Sequence, residues 1–100
     1  MSLENHIIIH EIEQYITNFG GHYPDWYVGI SSNPKNRLFQ DHHVHVEDDL
    51  WIHKLANSSD DVKKIEDHFH NVRHADGPSE GGNSTTLYIY AYKKTKNTRQ

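Results

Sequence analysis

No cysteine occurs among the 100 residues, which excludes both a disulfide frame and thiolate chemistry and leaves thiols silent about redox compartment. No apolar run approaches the roughly 18 residues of a spanning helix, and the N-terminus has no basic stretch followed by a long apolar one. A cytoplasmic protein with no membrane partner is therefore expected. Net positive charge is lacking too: the formal charge is −4 with histidine neutral, which argues against a broad, sequence-independent grip on nucleic acid, since that needs many cations against phosphates. The basic charge that exists is local, with Lys93, Lys94, Lys96 and Arg99 near the C-terminus and Lys35 and Arg37 in the middle. Ten histidines would add positive charge only as the pH falls toward about 6.5.

This length suits a single domain, residues 1–100, with one core of two packed layers. The apolar residues fall in periodic clusters, as in a folded chain. Ile8, Ile9, Ile12, Tyr15, Ile16 and Phe19 follow a helical period, and Gly20-Gly21 stops that helix. Leu50 to Ala56 reads as a strand with Trp51, His53 and Leu55 on one face, although the same run would also open a helix. Ser58-Ser59-Asp60-Asp61 forms a capping box ahead of the stripe Val62, Ile65, Phe69 and Val72. Glu66, next to Ile65, falls at the rim of that stripe. A Gly, Ser and Pro loop over 75–86 precedes the clearest strand, Leu87 to Lys94, which puts Tyr88, Tyr90 and Tyr92 on one face and Leu87, Ile89 and Ala91 on the other. The tail from Thr95 is polar and is expected to fray. The sum is an α+β domain: a small three-stranded, mainly antiparallel sheet covered by three helices.

The stretch Asp25 to His43 organises the chain. Trp26, Tyr27, Val28 and Ile30 form a strand, Ser31-Ser32-Asn33 breaks it, and a helix restarts at Pro34 with Asn33 as its cap. Tyr27 and Arg37 could thus converge on one surface.

Tyr27-Val28-Gly29, Arg37 ten residues on and Glu66 on the next well-formed helix together resemble the GIY-YIG nuclease family over roughly Trp26 to Val72. The resemblance implies a GIY-YIG-like fold and hydrolysis of nucleic-acid phosphodiesters, DNA or RNA. It implies Mg²⁺ or Mn²⁺ on Glu66, Arg37 against the phosphate charge, Tyr27 at the attacking water, and His42 nearby. The family's GIY strand does not precede Tyr27. The run Leu87-Tyr88-Ile89-Tyr90 with its following Lys93 to Asn97 looks like that strand and its turn. Paired beside Tyr27 in permuted order, it would bring Tyr88 or Tyr90 into the site, with Asn83 as a further amide.

Other readings compete. Tyr27 suits packing, Arg37 suits an i, i+4 pair with Asp41, and Glu66 suits a solvated face or a pair with Lys63 or Arg73. His70 and His74, four apart, would share a helix face and invite a zinc reading with His42, His43 and His45, but no HExxH or Cys/His set accompanies them. Gly81-Gly82-Asn83 lacks the continuation of a phosphate loop. The tyrosine face and the C-terminal lysines would also serve a non-catalytic module that binds a protein or nucleic acid. Either function is compatible with a homo-dimer.

Overall fold

The computed structural model describes residues 4–77 and 86–99; Asn83 and the Gly81-Gly82 pair lie outside them. Three strands, β1 (Trp26–Ser31), β2 (Trp51–Leu55) and β3 (Tyr88–Lys93), form one antiparallel sheet in the order β1-β3-β2. The last strand is therefore the central one, and it lies directly beside Tyr27. Its register sets Tyr92 opposite Tyr27, Tyr90 opposite Gly29 and Tyr88 opposite Ser31; on the other side Trp51, His53 and Leu55 face Tyr92, Tyr90 and Tyr88.

Alternation makes the two faces of this sheet chemically different. One face carries Trp26, Val28, Ile89 and Ala91 beneath helices α1 (Asn5–Asn18) and α3 (Ser59–Asp67), with Ile8, Ile12, Ile16, Val62, Ile65 and Phe69 filling the layer. Burial of each large side chain there stabilises by about 1.5–3 kcal/mol. The other face carries Tyr27, Tyr90 and Tyr92 beneath Leu38 and Val44, on the segment that begins as α2 (Pro34–Asn36).

Local sequence fixes the helix ends. The Asn33 side chain accepts the Asn36 N–H at 3.2 Å, as a cap should. Ser58 accepts the Asp61 N–H at 3.1 Å and donates to the Asp61 carboxylate at 3.0 Å; Asn5 reaches the same carboxylate at 3.1 Å and ties α1 to α3. Gly21 ends α1 with a φ of 72°, its N–H bonded to the Ile16 carbonyl.

Two expectations change here. The segments after α2 and α3 are not continuous α-helix: Arg37–Asp41 and His68–Val72 are each a π-helical turn. Each closes on a histidine in the left-handed region, His43 at φ 58° and His74 at φ 63°. The following N–H then reaches back six residues, Val44 to Leu38 and Ala75 to Phe69. His74 has therefore left the helix, and His70 instead lies against the Val28 carbonyl at 2.7 Å. Nor does the tail fray, since Thr95 to Thr98 forms a self-bonded turn and the Arg99 N–H reaches the His42 carbonyl at 2.6 Å.

Candidate active site

Gly29 explains why a tyrosine lies where it does. A Cβ built on Gly29 would stand 2.6 Å from the Tyr90 hydroxyl oxygen, so only glycine lets the Tyr90 ring lie across β1. The ring is fully buried. Tyr27 packs in the same layer, its ring 4.6 Å from that of His42 and 5.2 Å from that of Tyr92.

His42 joins these phenols from the end of the π turn. Its Nδ1 lies 2.5 Å from the Arg99 carbonyl oxygen, which can only accept. Nδ1 therefore carries the proton, and Nε2 accepts the hydrogen bond that Tyr90 donates at 2.8 Å. Tyr92 donates to the same Arg99 carbonyl at 2.9 Å. Burial pulls the His42 pKa below its ordinary value, opposed by the Arg99 carbonyl and reinforced by Arg37; the ring is neutral at pH 7. Burial pushes the phenols of Tyr27, Tyr90 and Tyr92 up.

Arg37 both makes the pair expected of it and acts on the cluster. Its guanidinium donates to Asp41 at 2.9 Å, and its charge acts on the Tyr90 phenol against the effect of burial. Tyr90 thus has a neutral imidazole at its proton and feels the Arg37 charge.

Glu66 is neither solvated nor paired with Lys63 or Arg73. It is 5 % exposed, and its Oε2 has no hydrogen-bond partner among the described residues, while Arg73 bonds Glu13 instead. Burial, reinforced by the Asp67 charge, pushes the carboxyl up to about 7. It lines a cleft of about 430 Å³ with Asp67, His70, Asn71, Ala75, Asp76 and Gly77. Asp76 flanks this cleft by pairing with the outer edge of β1: its carbonyl takes the Val28 N–H and its N–H goes to Trp26. Tyr27 and Arg37 do not line the cleft. Charge links them to it, since Tyr27 feels Arg37, Asp76 and Glu66, and Tyr90 feels Arg37 and Glu66.

The structure thus gathers Tyr27, Arg37, His42 and Tyr90, with Glu66 in electrostatic range. Tyr88 stands apart, against His53 at the far end of β3 with ring centroids 5.9 Å away. The tyrosine ladder is no open stacking platform, because Tyr90 and Tyr92 are 0 % exposed. Two of the C-terminal lysines are engaged, Lys93 with the Phe19 carbonyl and Lys94 with Asp76. Tyr92 and the Arg99 carbonyl are members that sequence reasoning missed. Strand parity marked Tyr92 as sharing the face of Tyr90, but only the register sets it against Tyr27.

Glu66 offers a single carboxylate donor of the kind a hard cation takes. An unpaired, buried carboxylate oxygen is a hard ligand, and Mg²⁺ is commonly held by one or two carboxylates while keeping its waters. No group of three or more His, Cys, Asp or Glu side chains poised for a metal occurs among the described residues, and no described helix is long and apolar enough to cross a membrane. No protein-family model, curated protein or solved structure matches the chain.

Proposed function

We propose that this protein is a metal-dependent endonuclease acting on DNA or RNA phosphodiesters, a GIY-YIG-type site in which the strand serving as the first motif comes last in the chain. The observation that carries this reading is Tyr90 lying across Gly29. It puts a second tyrosine beside the Tyr-Val-Gly strand, in range of the Arg37 charge, where the chain order alone lacked one.

Mg²⁺ or Mn²⁺ on Glu66 would polarise the phosphate and stabilise the leaving oxygen. Glu66 must be ionised to hold it, so protons compete below about pH 7. Arg37 lies outside the cleft that Glu66 lines, so the reading requires the substrate to span from that cleft to the planar fork of Arg37, which would meet the charge that builds on the phosphate. The Tyr90 proton is committed to His42 Nε2, which leaves the phenol oxygen able to accept one. Tyr90 is buried, so the reading requires the site to open for a water to reach it; as a water O–H bond then breaks toward Tyr90, the Tyr90 O–H bond breaks toward His42. Hydroxide is delivered to phosphorus, the phenol stays neutral and an imidazolium forms, while the leaving alkoxide takes its proton from solvent. No free phenolate is needed, which matters where burial disfavours one.

Incubation of the pure protein with supercoiled plasmid and Mg²⁺ or Mn²⁺ tests this. Nicking is expected, reduced about 10²-fold or more in Glu66→Gln and Arg37→Ala. Absence of nicking, or nicking undiminished in both variants, counts against it. With a net charge of −4 one copy grips few phosphates, so a short or structured substrate or a homo-dimer fits best. The same acidity favours a second reading, a non-catalytic binding module, which would retain a nucleic-acid or protein partner without turnover and independently of Glu66.

A further inference from the structure

We propose that the segment Thr95–Arg99 is a positioning element: through the Arg99 carbonyl it fixes the His42 tautomer and so aims the Tyr90 proton at His42 and away from the substrate. The inference deepens the nuclease reading and rests on it for its catalytic consequence, while the tautomer itself can be measured without turnover.

The segment is built to hold one carbonyl in place. Lys94 anchors its start, the backbone N–H to the Asp25 carbonyl at 2.8 Å and the ammonium to Asp76 at 3.1 Å. The turn is then closed by its own side chains, with the Thr95 N–H on Thr98 Oγ1 at 2.9 Å and the Asn97 N–H on Thr95 Oγ1 at 3.1 Å. Arg99 arrives with its N–H on the His42 carbonyl at 2.6 Å, and its own carbonyl takes both the Tyr92 hydroxyl and His42 Nδ1. Both polar groups of Arg99 are therefore spent on His42, the N–H on its backbone carbonyl and the carbonyl on its ring, with Tyr92 sharing the carbonyl.

The opposite tautomer would draw on the Tyr92 hydroxyl, 3.2 Å from Nδ1, but Tyr92 makes its shorter bond to the Arg99 carbonyl at 2.9 Å, and the rest of the geometry disfavours that tautomer. With the proton on Nε2, a bare Nδ1 lone pair would face a carbonyl lone pair at 2.5 Å, and Tyr90 would lose its acceptor. In nucleophile and base pairs generally, a third group orients the base. Here a neutral backbone carbonyl takes that place, and it is supplied from sequence 57 residues away. The groups facing His42 are Tyr27 from β1, Tyr90 and Tyr92 from β3, Arg37 and Asp41 from its own helix, and Arg99 from the tail. Asp41 is neutralised by Arg37, so the carbonyl is the principal group that favours a proton on Nδ1.

Two-bond ¹H–¹⁵N correlation on the intact ¹⁵N-labelled chain reads the His42 tautomer directly. Protonated Nδ1 and bare Nε2 are expected. Arg99→Ala, which keeps the backbone, should leave the tautomer unchanged. The double variant Arg99→Pro/Tyr92→Phe, which removes the N–H anchor and the second donor, should populate Nε2–H. It should also lower nicking about ten-fold and, at saturating Mg²⁺, which would keep Glu66 ionised, move the acid limb of the pH–rate profile to lower pH, because the carbonyl supports the imidazolium. Arg99→Pro alone, which removes the N–H anchor and keeps Tyr92, tests a milder loosening if the double variant folds poorly, with a smaller change of the same sign. Protonated Nε2 in the intact chain, or variants that keep both tautomer and pH profile, overturns the proposal. An intact chain that shows the expected tautomer yet nicks nothing sinks the nuclease reading and, with it, the catalytic role of the tail, and leaves the tail's hold on His42 standing.

Discussion

Glu13 and Glu66 are both helix carboxylates set against the core, and they are treated in opposite ways. Glu13, at the seam of α1 and the π turn after α3, receives His68 and Arg73 at 2.8 Å each. Burial raises its pKa, but those two partners outweigh it, and the net shift is downward. Glu66, on the same helical segment as His68, is more deeply buried, lacks a partner for Oε2 and is shifted up to about 7. The difference teaches where this fold accepts a stability cost. An ion pair costs little at a half-open seam, whereas a buried carboxylate left unpaired is kept only at some expense and is a mark of functional sites.

The largest effect expected on this contrast is catalytic. Glu66→Gln keeps shape and loses the anionic ligand, so nicking should fall about 10²-fold or more, while Glu13→Gln should leave the metal dependence of nicking intact. A plasmid assay on the two variants side by side checks it, and equal loss in both would erase the contrast.

Gly29→Ala comes next. The added Cβ meets the buried Tyr90 hydroxyl at 2.6 Å, so the ring held by His42 has to shift, and denaturant unfolding should show a loss of about 1–3 kcal/mol. No loss would mean that Tyr90 does not lie across β1, and the tyrosine layer would need redrawing.

Glu13→Gln should cost about 1 kcal/mol at pH 7. Because the folded pKa of Glu13 is depressed, its contribution is present above the unfolded value of 4.5 and is lost as the pH falls through the lower folded value. The cost should therefore vanish in acid, as unfolding at pH 3 and pH 7 would show. The smallest effect belongs to the two histidine helix ends: His43→Gly and His74→Gly should each gain about 0.5 kcal/mol, since glycine adopts a positive φ without a Cβ clash.

Much of this architecture was legible in the residues. The Ser58–Asp61 capping box, the Asn33 cap and the period-two faces of 51–55 and 88–93 rest on local rules, and local rules held. The π turns were not legible, because an i→i+5 turn differs from an i→i+4 turn by one residue at the end of a stripe, too little to disturb the pattern at Leu38 or Phe69. Strand order was not legible from periodicity: the pairing of the last strand beside Tyr27, which the register bears out, came from the family resemblance. Periodicity says which residues share a face, so it grouped Tyr88, Tyr90 and Tyr92, yet it cannot say which of them meets Gly29. That depends on register between segments some 60 residues apart, and it separates Tyr90, inside the cluster, from Tyr88, outside it. The Arg99 carbonyl escaped for a further reason: a backbone group has no residue type, so no motif can announce it.

The central claim is that Glu66 is held unpaired at a cost in stability, and its pH dependence tests that claim most directly. The unfolded carboxyl ionises near 4.5 and the folded one near 7, so between those values the folded state binds more protons and stability falls as the pH rises. Unfolding free energies of the intact chain and Glu66→Gln, measured without metal from pH 4 to pH 8, should agree at pH 4. They should diverge through neutrality until the variant is more stable by about 3 kcal/mol at pH 8. A variant that is less stable at pH 8, or a difference that does not change with pH, would contradict it.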